Sequence, residues 1–416
     1  MNPPGDPSNI AIPRSAVVVL SFAAFASGIS LRLTDALLPR LAQEFGVTIG
    51  TAALVITVFA VAYGLSQLFF GPMGDRFGKY LVIGWACAAC SLTALSCAVA
   101  PNFSALLGAR MLAGATAAAI IPLAMAWIGD VIAYDQRQPV LARFLIGQIM
   151  GLSAGVLVGG FAAEHLGWRI PFLGVAALFV VISITLLSVN RRLPPQARIV
   201  RHVAGSAWSR MLSEFSQVLA VPWARVVLAT VFLEGALLYG AFAFIVSHLH
   251  LKYQLPLSQA GSVVMLFGFG GLLFAIAVAT LVRRLGEAGL ARWGGALVAL
   301  AYLMIAFSPV WWLAIPGSFI AGLGFYMLHN TLQINATQMA PERRGAAVSA
   351  FASCFFLGQS VGVGIDGLLI AHVGTGGVIA AAAIGVLAVA LNFGRLRAQR
   401  ATNAAAVAVA PPGAAT

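Results

Sequence analysis

Four charged residues lie inside long apolar runs of this sequence, where they could carry a proton or hold a cation. Arg32 and Asp35 are three residues apart and so share one face of a helix, whereas Glu234 has no cation near it in the sequence. Charged groups in such runs are costly unless a counter-charge, water or a proton reaches them. We therefore predict that Asp35, Arg110, Arg32 and Glu234 take part in proton coupling, although Arg32 and Asp35 could also simply form a structural pair.

A second group of polar residues in the apolar runs predicts a binding cavity. Its members are Tyr63, Gln67, His329, Asn330 and Gln333, together with Glu234. The three residues numbered 329, 330 and 333 are at helical spacing, so they could line a path for a bound molecule or satisfy the backbone of neighbouring helices. The sequence supports both interpretations.

The sequence predicts no metal, no cofactor and no enzymatic site. His248 and His250 stand at the end of an apolar run beside Lys252, which is typical of a membrane interface, and Cys87 and Cys90 are interpreted as small packing residues. We find no G-x-x-x-x-G-K-S/T loop for a nucleotide, and no nucleophile, base and carboxylate placed as in a hydrolase. Any work that the protein does must therefore draw on a gradient.

Composition decides the class of fold. Hydrophobic residues make up 61% of the chain and charged residues only 9%, which excludes a soluble domain and predicts an all-α membrane protein. The net charge is +12, but the cations lie between apolar runs rather than on one basic face, so nucleic acid is not predicted as a partner. We place twelve transmembrane helices, spans 1 to 12, at about 15–39, 51–71, 80–100, 103–128, 142–165, 170–189, 225–247, 260–282, 289–308, 311–335, 346–371 and 376–394.

The loop charges predict that both ends of the chain lie in the cytoplasm. With that orientation nineteen Lys and Arg residues fall on the inner side and only three, Arg40, Arg169 and Lys252, on the outer side. We predict a disordered N-terminus (1–14), a first six-helix bundle (15–189), a linker (190–224), a second six-helix bundle (225–394) and a disordered tail (395–416). The segment FLIGQIMG (144–151) matches FFLGQSVG (355–362), which indicates that the two bundles are pseudo-symmetric repeats.

A charged, glycine-rich segment between spans 2 and 3 carries the clearest motif. From Gly71 to Tyr80 the chain has the spacing G-x-x-x-D-R-x-G-K. This resembles the corresponding loop of the major facilitator superfamily, G-x-x-x-D-R-x-G-R/K-R/K, with Tyr80 in place of the last basic residue. The resemblance implies a short loop at the membrane face and a conformational latch. The latch residues are Gly71, Asp75, Arg76, Gly78, Lys79 and Asp130. In the outward-open state, we expect Asp75 to face residues 348–351 at the start of span 11 and Lys79 to approach Asp130.

Spans 4 and 5 resemble the twelve-span drug:proton antiporter branch of that family. Gly151, Gly155, Gly159 and Gly160 follow its signature G-x-x-x-G-P-x-x-G-G, with Val156 in place of the proline, so the expected kink is absent. These glycines could equally be a plain ridge for helix packing. Arg110 resembles the buried arginine of the branch. Since spans 1 and 4 are cavity-lining neighbours in the resembled fold, we expect Arg110 to meet Asp35.

The residues and the resemblance together predict a secondary active transporter that exports small amphipathic or hydrophobic compounds in exchange for protons. We expect it in a bacterial-type inner membrane, as a monomer, with a small-molecule substrate, protons and membrane lipids as partners. One alternative is a proton-coupled symporter or sugar-type permease for a polar nutrient, which should show more amides and carboxylates facing its centre. The other is a membrane sensor or scaffold that transports nothing.

Overall fold

The chain folds into long apolar helices. The computed structural model describes residues 13–198 and 207–409, and within these ranges it contains helices and no β-strand. Ten helical segments of the described residues are long and apolar enough to cross a membrane. Two of them, Leu257–Phe307 and Pro341–Thr402, have 51 and 62 residues, and each contains one glycine with a non-helical backbone, Gly286 and Gly374. Each is thus two spans joined by a turn, and the all-α prediction of twelve spans is confirmed.

The observed spans extend the predicted ones by a few residues at most ends. Spans 1 to 6 are Arg14–Phe45, Ile49–Phe77, Lys79–Ala98, Phe103–Val131, Tyr134–His165 and Ile170–Arg192. Spans 7 to 12 are Pro222–Tyr253, 257–285, 287–307, Trp311–Gln338, 344–373 and 375–409. Between them lie the 3₁₀ turns Pro195–Ala197 and Pro341–Arg343 and the helix Ala207–Ala220. We call spans 1 to 6 the first half and spans 7 to 12 the second half.

Two predictions about chain segments were wrong. The motif segment from Gly71 is not a loop, because span 2 remains helical to Phe77 and only Gly78 leaves the helix, with φ +92°. One glycine in this left-handed region is enough to reverse the chain, so no longer loop is needed. The tail was predicted to be disordered, but residues 395–409 are helical, in keeping with the high helix propensity of alanine. The remaining disorder predictions, for residues 1–12 and 410–416, lie outside the described residues.

Glycine ridges bring two pairs of spans into backbone contact. In the first half, four glycines of span 5 each face a carbonyl oxygen of span 1, whereas Gly160 of the predicted ridge faces the Leu257 carbonyl oxygen of span 8. The four pairs are Gly147 with Ser21, Gly151 with Phe25, Gly155 with Ile29 and Gly159 with Leu33. In the second half, Gly358 and Gly362 of span 11 face Phe232 and Ala236 of span 7 in the same way. A Cβ at any of these positions would collide with the partner helix, so the repeated segments serve the same close packing in both halves.

The distribution of Lys and Arg in the loops defines which end of the bundle is called the inner end and which the outer end. The outer end carries the loops at residues 46–48, 99–102 and 308–310, and the inner end carries the turns at Gly78 and Gly286. At the outer end, Glu164 Oε2 of span 5 accepts hydrogen bonds from the Ser258 backbone N–H (2.9 Å) and hydroxyl (2.6 Å), and the start of span 8 therefore joins the first half. Gly50 of span 2 touches the backbone of Gly367 in span 11. The structure is therefore closed at its outer end.

Candidate functional site

Arg32 and Asp35 form a buried ion pair on span 1. Arg32 Nη1 lies 3.2 Å from Asp35 Oδ2, and the side chains are only 2% and 1% exposed. Asp35 Oδ1 has no hydrogen-bond partner within the described ranges. On its other side, the Arg32 guanidinium lies over the ring of Tyr239 in span 7, with 3.7 Å between Cζ and the ring centroid. The pair is thus only half satisfied, and it leaves one carboxylate oxygen able to take a proton.

Arg110 lies beside this pair but binds other groups. It donates to the backbone oxygens of Val55 and Ser30, both at 3.2 Å, and to Thr34 Oγ1 at 3.4 Å. Among the described residues, no ion pair joins Arg110 to Asp35, so the expected meeting of these two side chains is absent in this conformation. The physical reason is that Arg32, three residues away on the same helix face, takes the carboxylate. Arg110 instead ties span 4 to spans 1 and 2.

Glu234 forms a second pair, with the partly buried His329 of span 10. Glu234 is 0% exposed, and its Oε2 lies 2.8 Å from His329 Nδ1, while Oε1 has no partner in the part of the chain that the structure describes. Both residues were predicted to be functional, but their pairing was not, because they are 95 residues apart in the sequence. Histidine is charged only when protonated, so this pair is able to hold or release a proton.

An aromatic cluster connects the two pairs. The His329 ring packs against Phe325 and Phe355, with centroids 4.9 and 4.8 Å away, and Tyr239 packs against the same two rings at 5.1 and 5.4 Å. Arg32 in turn stacks on Tyr239, so the rings form a continuous path between the two acids. Sequence reasoning missed this cluster. The spacing of Phe325 and His329, four residues apart on one helix, was the signal that could have indicated part of it.

A change of helix type places Glu234 and Tyr239 on the same side of span 7. Residues Gly235–Tyr239 form a π-helix. Five residues of α-helix make about 1.4 turns, which would point the two side chains apart, whereas a π turn closes a hydrogen bond from residue i to i+5. Accordingly, Phe325 and His329, one turn apart on span 10, contact Tyr239 and Glu234. Sequence periodicity gave no indication of this segment.

The remaining predicted cavity residues lie on spans 2 and 10. Tyr63 and Gln67 are buried, and the Tyr63 ring packs against Phe356 of span 11 at 4.3 Å. Asn330 and Gln333 are partly buried. Between the halves, the space beside Arg32 and Tyr239 has a volume of only about 10 Å³, enough for roughly one water molecule. A substrate cavity formed by these residues therefore stays a prediction for another conformation.

The predicted latch residues meet at the inner end. Lys79 Nζ lies 2.8 Å from Asp75 Oδ1 and 2.7 Å from Asp130 Oδ2, so one ammonium group links spans 2, 3 and 4. The contact expected between Lys79 and Asp130 is present. The contact of Asp75 with residues 348–351 was expected for the outward-open state, which this structure, closed at its outer end, does not represent. Arg76 is exposed.

The matching turn of the second half carries a cluster of opposite charge. Gly286 has a left-handed φ of +61°, as Gly78 does at +92°, and the residue after it is Glu287 rather than a lysine. Glu287 Oε2 accepts hydrogen bonds from Asn335 Nδ2 (2.9 Å) and Arg397 Nε (2.8 Å). Both turns thus have a glycine with positive φ, but the residue that follows it is a cation in the first half and an acid in the second. This cluster was not predicted from the sequence.

Comparisons with known proteins agree on one family. The sequence profile of the Major Facilitator Superfamily matches residues 20–363. An uncharacterized MFS-type transporter, YceJ of Bacillus subtilis, is 25% identical over 83% of this chain and 86% of its own length. The quinolone resistance protein NorA of Staphylococcus aureus is 24% identical over 85% of this chain and 89% of its own length.

Two solved structures share the fold. The nucleoside transporter NupG superposes with a TM-score of 0.74 at 14% identity, covering 91% of this chain and 98% of its own. The human organic anion transporter MFSD10 superposes with a TM-score of 0.69 at 16% identity, over the same shares of the two chains. At such identities the likeness concerns the fold alone. The twelve-helix architecture is thus the one that these two transporters have.

Proposed function

The chain belongs to the Major Facilitator Superfamily, and from this premise we propose that it is a secondary active transporter that exports small amphipathic or hydrophobic compounds in exchange for protons. One observation carries the proposal: two buried acids, Asp35 and Glu234, each keep an oxygen that has no partner among the described residues, deep inside the bundle. A scaffold has no need of such costly groups, because well-packed apolar residues in their place are often as stable or more so. A transporter needs them to take up and release protons.

The direction of transport and the class of substrate rest on two further points. The relative NorA is named as a quinolone resistance protein, and a second relative, 28% identical over 42% of this chain, is the chloramphenicol resistance protein of Pseudomonas aeruginosa. The rings of Phe325, Phe351 and Phe355 pack around His329, with one acidic group, Glu234, beside it, and they would present apolar surface in a conformation that opens a cavity there. Such a lining favours amphipathic compounds over sugars. We place the protein in the inner membrane as a monomer with both termini in the cytoplasm.

The test is a screen in sealed vesicles that contain the purified protein, acidic inside and loaded with a pH indicator. We expect at least one amphipathic compound, added outside, to make the interior less acidic, because protons leave in exchange for it. Vesicles without protein are the control for passive entry of weak bases. If amphipathic compounds have no effect, and nucleosides or sugars cross the membrane together with protons in the same direction, the symporter alternative is correct. If no compound in a broad panel has any effect, the sensor or scaffold alternative is favoured.

The latch gives a prediction at the inner end. We expect Asp75→Asn to reduce the initial rate of transport by about tenfold or more, the usual scale of coupling between conformational states, without changing expression or melting temperature. Folding should survive because Lys79 keeps its contact with Asp130, and the Asp75 carboxylate is 36% exposed. The matched control is Glu342→Gln, an exposed acid near the start of span 11. Full transport activity of Asp75→Asn would contradict the latch.

A further inference from the structure

Among the described residues, Arg32 and Tyr239 form a contact between the two halves in which a charged side chain is buried. The Arg32 guanidinium belongs to span 1 of the first half, and its Cζ lies 3.7 Å from the centre of the Tyr239 ring and 5.2 Å from that of Phe242, both in span 7 of the second half. All three side chains are less than 5% exposed. A cation over a ring gains most when both are removed from water, as they are here.

Contacts within the second half hold the Tyr239 ring in place independently of Arg32. Tyr239 packs against Phe242, Phe267, Phe325 and Phe355, with centroids between 5.1 and 6.2 Å away, and these rings come from spans 7, 8, 10 and 11. On the other side, Asp35 orients the guanidinium from its own helix at 3.2 Å. Each half thus fixes its own partner, so the stacked contact between them costs little further ordering.

Separation of the halves at the outer end would break this contact. Arg32 lies on the outer side of the middle of span 1, and movement of span 1 away from span 7 would expose its charge to water. The other contacts at the outer end are of a different kind, since Glu164 and Ser258 form an exposed hydrogen bond and Gly50 and Gly367 meet through their backbones. On opening, the Arg32 guanidinium would leave its buried position over the Tyr239 ring and become hydrated.

We propose that the stacking of Arg32 on Tyr239 closes the outer gate, which makes Tyr239 a positioning residue of the transport cycle. This rests on the proposed function only in assuming that the halves alternate between an outer-closed and an outer-open state. The proposal assigns the contact to the ring rather than to the tyrosine hydroxyl. Tyr239→Phe should therefore close the gate as the native residue does, and Tyr239→Leu should not.

The experiment measures the width of the outer end directly. Spin labels are attached through Pro101→Cys and Pro309→Cys, two exposed loop positions of the outer end in different halves, after Cys87, Cys90, Cys97 and Cys354 have been replaced by alanine. Distances are then recorded in lipid nanodiscs by double electron–electron resonance. We expect Tyr239→Leu to raise the ratio of the longer to the shorter distance by about tenfold, as the loss of a buried cation–π contact implies. Tyr239→Phe should match the native distribution.

Two results would overturn the proposal: an unchanged distribution for Tyr239→Leu, or an equal opening for Tyr239→Phe. If Tyr239→Leu does not fold, Arg32→Lys provides the second test. It keeps the charge beside Asp35 but loses the flat guanidinium, so it should give an intermediate ratio, and an unchanged ratio would again contradict the gate. The measurement uses neither substrate nor proton gradient. If Tyr239→Leu shifts the distances as expected but the native protein transports no compound, the proposed function is refuted and the proposal about the gate still holds.

Discussion

In sealed vesicles, the Asp35→Asn variant is expected to bind and exchange substrate but not to accumulate it in response to a pH gradient. With one proton exchanged per substrate molecule, a gradient of about two pH units can drive about 100-fold accumulation of substrate. In the variant, the ratio of substrate concentrations across the membrane should fall to about one. Asparagine keeps the size of the side chain and cannot take up a proton. Substrate exchange does not require net proton movement, so it should continue at a measurable rate.

Arg110→Ala is the informative comparison for this variant. Arg110 donates to two backbone oxygens and one hydroxyl on spans 1 and 2, and its guanidinium lies 4.2 Å from the centre of the Phe59 ring. Its removal takes away links between three spans, so both accumulation and exchange should decline. Normal gradient-driven accumulation by Asp35→Asn would exclude Asp35 as the proton carrier and assign that role to Glu234.

Glu234→Gln is expected to weaken the binding of cationic compounds by about 10- to 100-fold, the scale of hydrogen bonds to charged groups, and to leave neutral analogues within about twofold. Glutamine fills the same space and can still bond to His329, so the packing of Phe325 and Phe355 around the histidine should persist. Affinities of a matched cationic and neutral compound for the purified protein provide the measurement.

The matched control for Glu234→Gln is Asp366→Asn. Asp366 is also an acid of the second half, but it lies towards the outer end of span 11, where its Oδ2 faces Gly240. We expect this variant to keep the native preference between the two compounds. An equal loss of both compounds in Glu234→Gln would show that the residue serves protonation or packing rather than recognition of charge.

The sequence was sufficient to predict the membrane class, the number of spans and the acids inside them. Long apolar runs and loop charges are local properties, and they depend only on the cost of polar groups in hydrocarbon. The contact of Lys79 with Asp130 also followed from motif spacing. The helical end of span 2 was missed because Asp75 and Arg76 were interpreted as loop residues, although charged residues are ordinary in a helix once it has left the apolar layer.

The partners of the buried acids could not be predicted in the same way. His329 reaches Glu234, and Arg32 reaches Tyr239, across pairs of spans far apart in sequence, and such contacts depend on how whole helices pack. The π segment adds to the difficulty, because it rotates every residue of span 7 beyond Gly235 relative to an ideal α-helix. Asp35 was expected to meet Arg110 because spans 1 and 4 are neighbours in the resembled fold, and that neighbourhood does not decide between Arg110 and Arg32, the alternative partner.

The glycine ridges bear on how such a protein can evolve. A side chain at Gly151 or Gly362 would force span 5 from span 1, or span 11 from span 7, so selection has almost no freedom on those faces. The freedom lies where side chains meet side chains, above all around Phe325, His329 and Phe355. The second half therefore combines a frame that mutation cannot easily alter with side-chain contacts that it can. If these side chains line the proposed substrate cavity, adaptation to an unfamiliar compound needs changes only among them.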